Sequence, residues 1–159
     1  MSYLIDGNNL MGFLRADWQR DLTLARRAVL DDLAEFKRRA RVTIDVVFDG
    51  RADTFFPDGA TYRGVRVFYA RVNSDADARI KEMVDGTRER RTMYVITSDR
   101  ALGDYVRRSG VRVVRCHDFR RRLDEAATGK REDERDVKRE ETVKGTDEWL
   151  RYFGVEPHE

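Results

Sequence analysis

The segment YLIDG at residues 3–7 decides the fold, because a short apolar run ends there in an aspartate followed by a glycine. The same arrangement returns at residues 42–50, where VTIDVVF is followed by Asp49 and Gly50. Short apolar runs without strict polar alternation are typical of strands that are buried on both faces. Similar runs predict three more strands, at residues 65–69, 93–96 and 111–114.

Between these runs, apolar residues recur at the three- and four-residue spacing of amphipathic helices. The predicted helices cover residues 22–39, 76–84, 102–106 and 119–126. Strands that alternate with helices imply right-handed crossovers and a parallel sheet with helices on both faces. The predicted fold class is therefore α/β, a three-layer α/β/α domain with a central, mainly parallel sheet.

The length of 159 residues suits one core domain, which we expect at residues 1–128. Residues 129–159 change to a charged composition that turns apolar again at Trp149, Leu150, Tyr152 and Phe153. We expect a charged C-terminal extension ending in a short apolar helix, which docks on the core or binds a partner. No secretory signal or membrane-length apolar run is apparent, and Cys116 is the single cysteine, so we expect a cytoplasmic protein without a membrane partner.

Aspartates follow four of the predicted strands. Asp6, Asp49 and Asp99 end strands, and Asp75 and Asp77 lie where the third strand leads into its helix. Parallel strands place their carboxyl ends at one edge of a sheet, where ligands of open α/β folds bind. Helix capping is the alternative for each aspartate and is strongest for Asp75. It explains Asp6 poorly, because the next predicted helix lies far downstream.

Several carboxylates at one edge repel one another unless a positive charge or protonation offsets them. Mg²⁺ or Mn²⁺ suits such oxygen ligands, and the cation would serve phosphodiester hydrolysis. Asn8 and Asn9 would orient Asp6 or a water, or form a turn. Thr97 and Ser98 would contact a phosphate or cap the next helix. The flanking arginines would bind backbone phosphates or balance charge; they are Arg51, Arg71, Arg79 and Arg100.

Composition alone says little about partners, since the formal net charge is +2. Nearly all of the 32 basic residues are arginine, which favours phosphate contacts but also follows from a high-GC genome. No glycine-rich phosphate motif follows the first strand, which argues against dinucleotide and NTP binding. An aspartate-nucleophile phosphatase would carry a second acid at the position of Asn8.

Four ordered blocks resemble the YacP-like branch of the NYN domain family, within the PIN-like ribonucleases. They are LIDGNNLMG at 4–12, VVFDG at 46–50, SDADARI at 74–80 and VITSD at 95–99. The resemblance implies a PIN-like fold and a Mg²⁺-dependent endoribonuclease acting on mRNA at the ribosome. RNA and the ribosome are then the expected partners. The alternative is a non-catalytic RNA- or ribosome-binding protein that keeps the fold.

The resemblance implies roles for Asp6, Asn9, Asp49, Asp77 and Asp99, whereas Asp75 and the RNA contacts follow from the positions of those residues in the sequence. The expected catalytic residues are Asp6, Asn9, Asp77 and Asp99. The expected Mg²⁺ or Mn²⁺ ligands are Asp6, Asp49, Asp75, Asp77 and Asp99. The expected RNA contacts are Asn8, Ser98, Arg51, Arg71, Arg79 and Arg100. Two positions depart from the family pattern, because Asn8 stands where an aromatic residue is common and Asp75 is an additional acid beside Asp77.

Overall fold

The computed structural model describes residues 1–128, and its centre is a six-stranded sheet. The strands follow the order β3-β4-β2-β1-β5-β6, and every neighbouring pair is parallel except β3 and β4. The predicted mainly parallel sheet is therefore confirmed. The strands are β1 (Ser2–Asp6), β2 (Thr43–Phe48), β3 (Ala60–Tyr62), β4 (Val65–Tyr69), β5 (Met93–Ile96) and β6 (Arg112–Val114).

Within residues 1–128, five helices cover the two faces of the sheet. They are α1 (Gly7–Leu14), α2 (Leu22–Ala40), α3 (Ala76–Gly86), α4 (Arg100–Arg108) and α5, which covers residues 116–128. One apolar core joins α1, α2 and α5 to the sheet through side chains such as Leu10, Leu33 and Phe119. A second core joins α3 and α4 to the opposite face through Ile80 and Leu102. This arrangement confirms the three-layer α/β/α fold.

Helix α1 was not predicted, and it begins directly after Asp6 rather than far downstream. Its sequence contains two glycines and two asparagines, which are weak helix formers. Burial of Leu10 and Met11 against the sheet outweighs that propensity. The start of α1 also requires glycine, because a Cβ at Gly7 would lie 2.5 Å from Cδ1 of Phe48.

The short strand β3 was also not predicted. It pairs antiparallel with β4 through a two-residue turn at Arg63 and Gly64. Both turn residues have positive φ values, of 46° and 88°, which suit the tight turns of hairpins. The hairpin extends the sheet beyond β4 without changing the edge at which the parallel strands end.

Two expectations concern regions beyond this fold. The predicted C-terminal extension, residues 129–159, lies outside the described residues. Among residues 1–128, none of the helices combines the length and the hydropathy that crossing a bilayer demands.

Candidate active site

The sheet topology brings the predicted acidic residues to one edge. Strands β1, β2 and β5 are adjacent and parallel; β1 ends in Asp6, β2 ends one residue before Asp49 and β5 ends three residues before Asp99. Strand β4 pairs with β2 and leads into α3, whose first turn carries Asp77. The negative charges of Asp77 and Asp49 act on Asp6, and that of Asp99 acts on Asp77. We call Asp6, Asp49, Asp77 and Asp99 the acidic cluster.

Asp6 is the most deeply buried member of the acidic cluster, with 5% of its surface exposed. Burial raises the pKa of its carboxyl group to about 6, and the negative charges of Asp77 and Asp49 add to this shift. The hydroxyl of Thr97, which donates to Oδ2 of Asp6 at 2.8 Å, opposes it. Asp6 is the N-cap residue of α1 and its side chain makes no regular capping hydrogen bond, although the backbone N–H of Asn9 in the first turn of α1 lowers its pKa. Capping alone therefore does not explain the burial of this aspartate.

Thr97 connects two members of the acidic cluster. Its buried hydroxyl donates to Asp6 and also accepts a hydrogen bond from the backbone N–H of Asp99 at 3.1 Å. Asp99 in turn caps α4, because its Oδ1 accepts from the N–H of Leu102 at 2.9 Å. The sequence suggested a phosphate contact or a cap for Thr97; Asp99 and not Thr97 caps α4, and the phosphate contact stays a prediction. The position of Thr97 directly beyond a buried strand was the only available signal.

Asn8 and Asp49 form a second set of contacts, which joins α1 to α3. Oδ1 of Asn8 accepts from the N–H of Asp49 at 3.0 Å, and Oδ1 of Asp49 accepts from the N–H of Ala76 at 2.7 Å. The buried guanidinium of Arg26 donates to the backbone oxygens of Asp49 and Arg51, at 2.6 and 3.0 Å. Together these bonds fix the chain that leaves β2 at the acidic cluster. Arg26 was not predicted, because it lies in α2, far from the cluster in sequence.

The side chain of Asn9 accepts hydrogen bonds from the loop that follows β5 and from the start of α5. Its Oδ1 accepts from the N–H of Ser98 at 2.7 Å and from Sγ of Cys116 at 3.1 Å. Oγ of Ser98 accepts from the N–H of Cys116 at 3.0 Å. The asparagine side chain thus ties α1 to the start of α5 and to the loop that carries Thr97 and Asp99. The structure gives this oxygen a positioning role, and the expected orientation of Asp6 or a water by Asn9 stays a prediction.

Asp75 and Asp77 differ in what their side chains do. Asp75 is exposed and caps α3, because its Oδ1 accepts from the N–H of Ala78 at 2.8 Å. Asp77 is half-buried, and within residues 1–128 its carboxylate accepts no hydrogen bond. Burial raises the pKa of Asp77, and the charges of Asp99 and Asp75 raise it further, whereas Lys81 lowers it. Asp77 is therefore the better placed of the two to bind a cation.

The acidic cluster offers the hard oxygen donors that Mg²⁺ and Mn²⁺ prefer. Within residues 1–128, no three acidic, histidine or cysteine side chains lie close enough together to form a ready-made metal cage. Mg²⁺ does not require one, because it commonly takes one or two carboxylates and keeps several waters. The buried carboxylate of Asp6, on which the charges of Asp77 and Asp49 act, fits such a cation by its charge and its chemistry.

The four predicted RNA-contacting arginines fall into two pairs. Arg71 forms a bidentate ion pair with Glu82, and Arg79, 12% exposed, donates to Asp58 and to the backbone oxygen of Tyr69. The guanidinium groups of Arg51 and Arg100 make no hydrogen bond or ion pair in the part of the chain that the structure describes. These two can therefore reach a phosphate without breaking an existing contact.

Two open clefts flank the acidic cluster. The first, of about 600 Å³, begins at Asp99 and runs between α4 and β6. Besides Arg100 it is lined by Arg107 and Arg115, which were not predicted, and we call it the arginine cleft. The second, of about 660 Å³, lies beside Gly50 and is lined by Arg51, Arg71 and Arg79. Basic side chains thus lie on both sides of the carboxylates.

Comparisons with known proteins bear on the fold and on the family of the chain. The family model of the YacP-like NYN domain matches residues 3–151. A crystal structure of Rae1 (YacP) from Bacillus subtilis is 21% identical and superimposes with a TM-score of 0.70, covering 97% of this chain and 92% of that one. A mutant of the same Bacillus subtilis protein is 22% identical with a TM-score of 0.68, covering 87% and 82%.

The two kinds of match carry different weight. At 21–22% identity the structural likeness shows the fold alone. No curated protein matches the sequence significantly. The family model, in contrast, spans nearly the whole sequence. The chain therefore belongs to the YacP-like NYN domain family, a family of PIN-like nucleases.

Proposed function

We propose that this protein is a metal-dependent endoribonuclease that hydrolyses RNA phosphodiester bonds at the acidic cluster. The observation that carries the proposal is the buried carboxylate of Asp6, whose pKa is raised to about 6 by burial and by the neighbouring carboxylates. Such crowding destabilises a fold unless a counter-charge offsets it. A pure binding protein gains nothing from carboxylates that repel phosphate.

Asp6 and Asp77 are the principal candidates to bind Mg²⁺ or Mn²⁺, with Asp49 and Asp99 beside them. A divalent cation bound there would neutralise the carboxylates, lower the pKa of water and stabilise negative charge on the phosphate. In the hydrolysis, a water oxygen forms a bond to phosphorus while the bond to the leaving ester oxygen breaks. Asp77 supports this chemistry because its carboxylate is not occupied by hydrogen bonds within residues 1–128.

The other polar residues would keep the cluster in place and hold the strand. Thr97 fixes Asp6 relative to Asp99, and Asn8 fixes the chain at Asp49. Arg51 and Arg100, whose guanidinium groups are unpaired within residues 1–128, would bind phosphates on the two sides.

The two flanking clefts support endonucleolytic rather than terminal cleavage. A basic cleft lies on either side of the acidic cluster, so a strand can extend in both directions from the cleaved bond. RNA as the substrate, and mRNA at the ribosome as its context, rest on the family resemblance. That context would place the protein in the cytoplasm.

The test is cleavage of a 5′-labelled single-stranded RNA in Mg²⁺ or Mn²⁺. Asp77→Asn should lower the rate more than about 100-fold, since loss of a supporting residue alone costs 10–100-fold at metal sites. Asp85→Asn is the matched control, because it makes the same change at the opposite end of α3. Internal fragments as first products would indicate endonucleolytic action.

Cleavage that survives both chelation and Asp77→Asn would refute the metal-dependent mechanism. Calorimetric titration with Mg²⁺ and Mn²⁺ separates the alternatives. No binding at millimolar metal, together with intact bound RNA, would favour the non-catalytic RNA- or ribosome-binding protein.

A further inference from the structure

An exposed aromatic side chain lies close to the arginine cleft. Phe13, in the last turn of α1, is 39% exposed. The imidazole of His117 meets its ring edge-on, with centroids 6.1 Å apart and planes at 83°. The guanidinium of Arg120 lies 5.8 Å from the centre of the same ring. We call these three residues the aromatic patch.

The aromatic patch is continuous with the proposed RNA path. His117 contacts Phe13 and also lines the arginine cleft, together with Ser98 and Arg115. Asp6 directly precedes α1 and Phe13 lies seven residues later, so the two are on the order of 10 Å apart along the helix axis. A strand cleaved at the acidic cluster and continuing along the cleft would therefore reach Phe13 within a few nucleotides.

We propose that the aromatic patch is a nucleobase-binding site, at which an unpaired base of a single-stranded RNA stacks on Phe13 while Arg120 and Arg115 bind the adjoining phosphates. The proposal rests on the proposed function, because it takes the strand to lie across the acidic cluster.

The chemistry of the aromatic patch favours a base over other ligands. A single exposed phenylalanine is ordinary, but here two further groups capable of stacking or phosphate binding surround it. An aromatic ring with neighbouring guanidinium groups is how many proteins bind single-stranded nucleic acid. In the described part of the chain the guanidinium of Arg115 makes no hydrogen bond or ion pair, so it can bind a phosphate directly. Duplex RNA would not fit, because its bases are already stacked and paired.

The experiment measures RNA affinity separately from cleavage. Fluorescence anisotropy of a labelled single-stranded RNA is recorded in Mg²⁺ with the full chain carrying Asp77→Asn. Adding Phe13→Leu should weaken binding roughly 5- to 30-fold, since stacking of one base contributes about 1–2 kcal/mol. Affinity for a duplex of the same sequence should not change. Phe55→Leu is the matched control, because Phe55 is also an exposed phenylalanine, at 78%, but lies in the loop between β2 and β3 and not in α1.

A base-by-base variant of the assay tests stacking itself. Single nucleotides of the RNA are replaced, one at a time, by abasic ones. In the protein with Phe13, the replacement should weaken binding at one position of the RNA. In the Phe13→Leu variant, the replacement at that same position should have little further effect. The salt dependence of affinity should stay the same in Phe13→Leu but become shallower in Arg120→Gln, which removes a phosphate contact.

Equal single-strand affinity with and without Phe13→Leu would overturn the proposal, and a protein partner would then be the better occupant of the aromatic patch. An abasic effect that persists undiminished in Phe13→Leu would overturn it too. These outcomes differ from failure of the nuclease proposal, which would appear as absent cleavage by the unsubstituted chain.

Discussion

Replacing Asp6 by asparagine should stabilise the metal-free protein near neutral pH. The pKa of Asp6 rises from its ordinary 3.8 to about 6 on folding, mainly because the carboxyl group is buried. A folded-state pKa above the unfolded value means that the native protein binds this proton more tightly. Protonation of Asp6 stabilises the native state fully below pH 3.8, and this stabilisation is lost as the pH rises through 6. The full loss amounts to roughly 3 kcal/mol at 1.36 kcal/mol for each pKa unit.

The measurable quantity is how the stability difference between Asp6→Asn and the parent changes with pH. About half of the loss has occurred by pH 5, so the difference should grow in favour of Asp6→Asn by between roughly 1 and 2 kcal/mol from pH 5 to pH 8. Urea unfolding in the presence of a chelator gives both free energies. Asparagine can still accept the hydrogen bond from Thr97, which keeps the geometry comparable.

Added Mn²⁺ provides the second arm of this test. At pH 8 it should raise the free energy of unfolding of the parent, as any ligand of the native state does, and should do so much less for Asp6→Asn. A parent that is more stable than Asp6→Asn in chelator at pH 8 would refute the electrostatic reasoning. Equal stabilisation of both proteins by Mn²⁺ would refute the role of Asp6 as a metal ligand.

Two further predictions concern how the edge of the sheet is built. Gly7→Ala should lower the free energy of unfolding, measured in urea, by about 1–3 kcal/mol, because the new Cβ would overlap Phe48. Gly86→Ala is the control: its new Cβ would meet no atom within 4 Å, so the substitution should be neutral or slightly stabilising. Asp99→Asn should abolish cleavage but keep the capping hydrogen bond from the N–H of Leu102. Asp99→Ala should abolish cleavage and also lower the free energy of unfolding by about 1 kcal/mol, because this cap is lost. Equal unfolding free energies for the two variants would contradict the capping role.

The sheet and the position of the acids were predictable because both depend on local patterns. Apolar runs that end in Asp6, Asp49 and Asp99 identify buried strands, and parallel topology then brings their ends together. The capping role of Asp75 was equally local, since it depends on the N–H of Ala78 only three residues away. Patterns of this kind need no knowledge of the tertiary structure.

The contacts that were missed join segments that are distant in sequence. Thr97 donates to Asp6 across 91 residues, and Arg26 reaches the backbone at Asp49 across 23. Helix α1 escaped prediction for a related reason, because its formation depends on burial of Leu10 against the sheet and not on propensity. No spacing rule contains such information.

In the structure, capping and metal binding are not mutually exclusive roles for these aspartates. Asp49 and Asp99 each use one carboxylate oxygen to accept from a helix N-terminal N–H, of Ala76 and Leu102, and Asp6 uses one to accept from Thr97. A carboxylate has a second oxygen and further lone pairs. The hydrogen bond therefore fixes the side chain while capacity to bind a cation remains. Because that ordering is achieved during folding, a cation would meet Asp6, Asp49 and Asp99 already held in place, and its binding would not have to offset the entropy of ordering these three side chains.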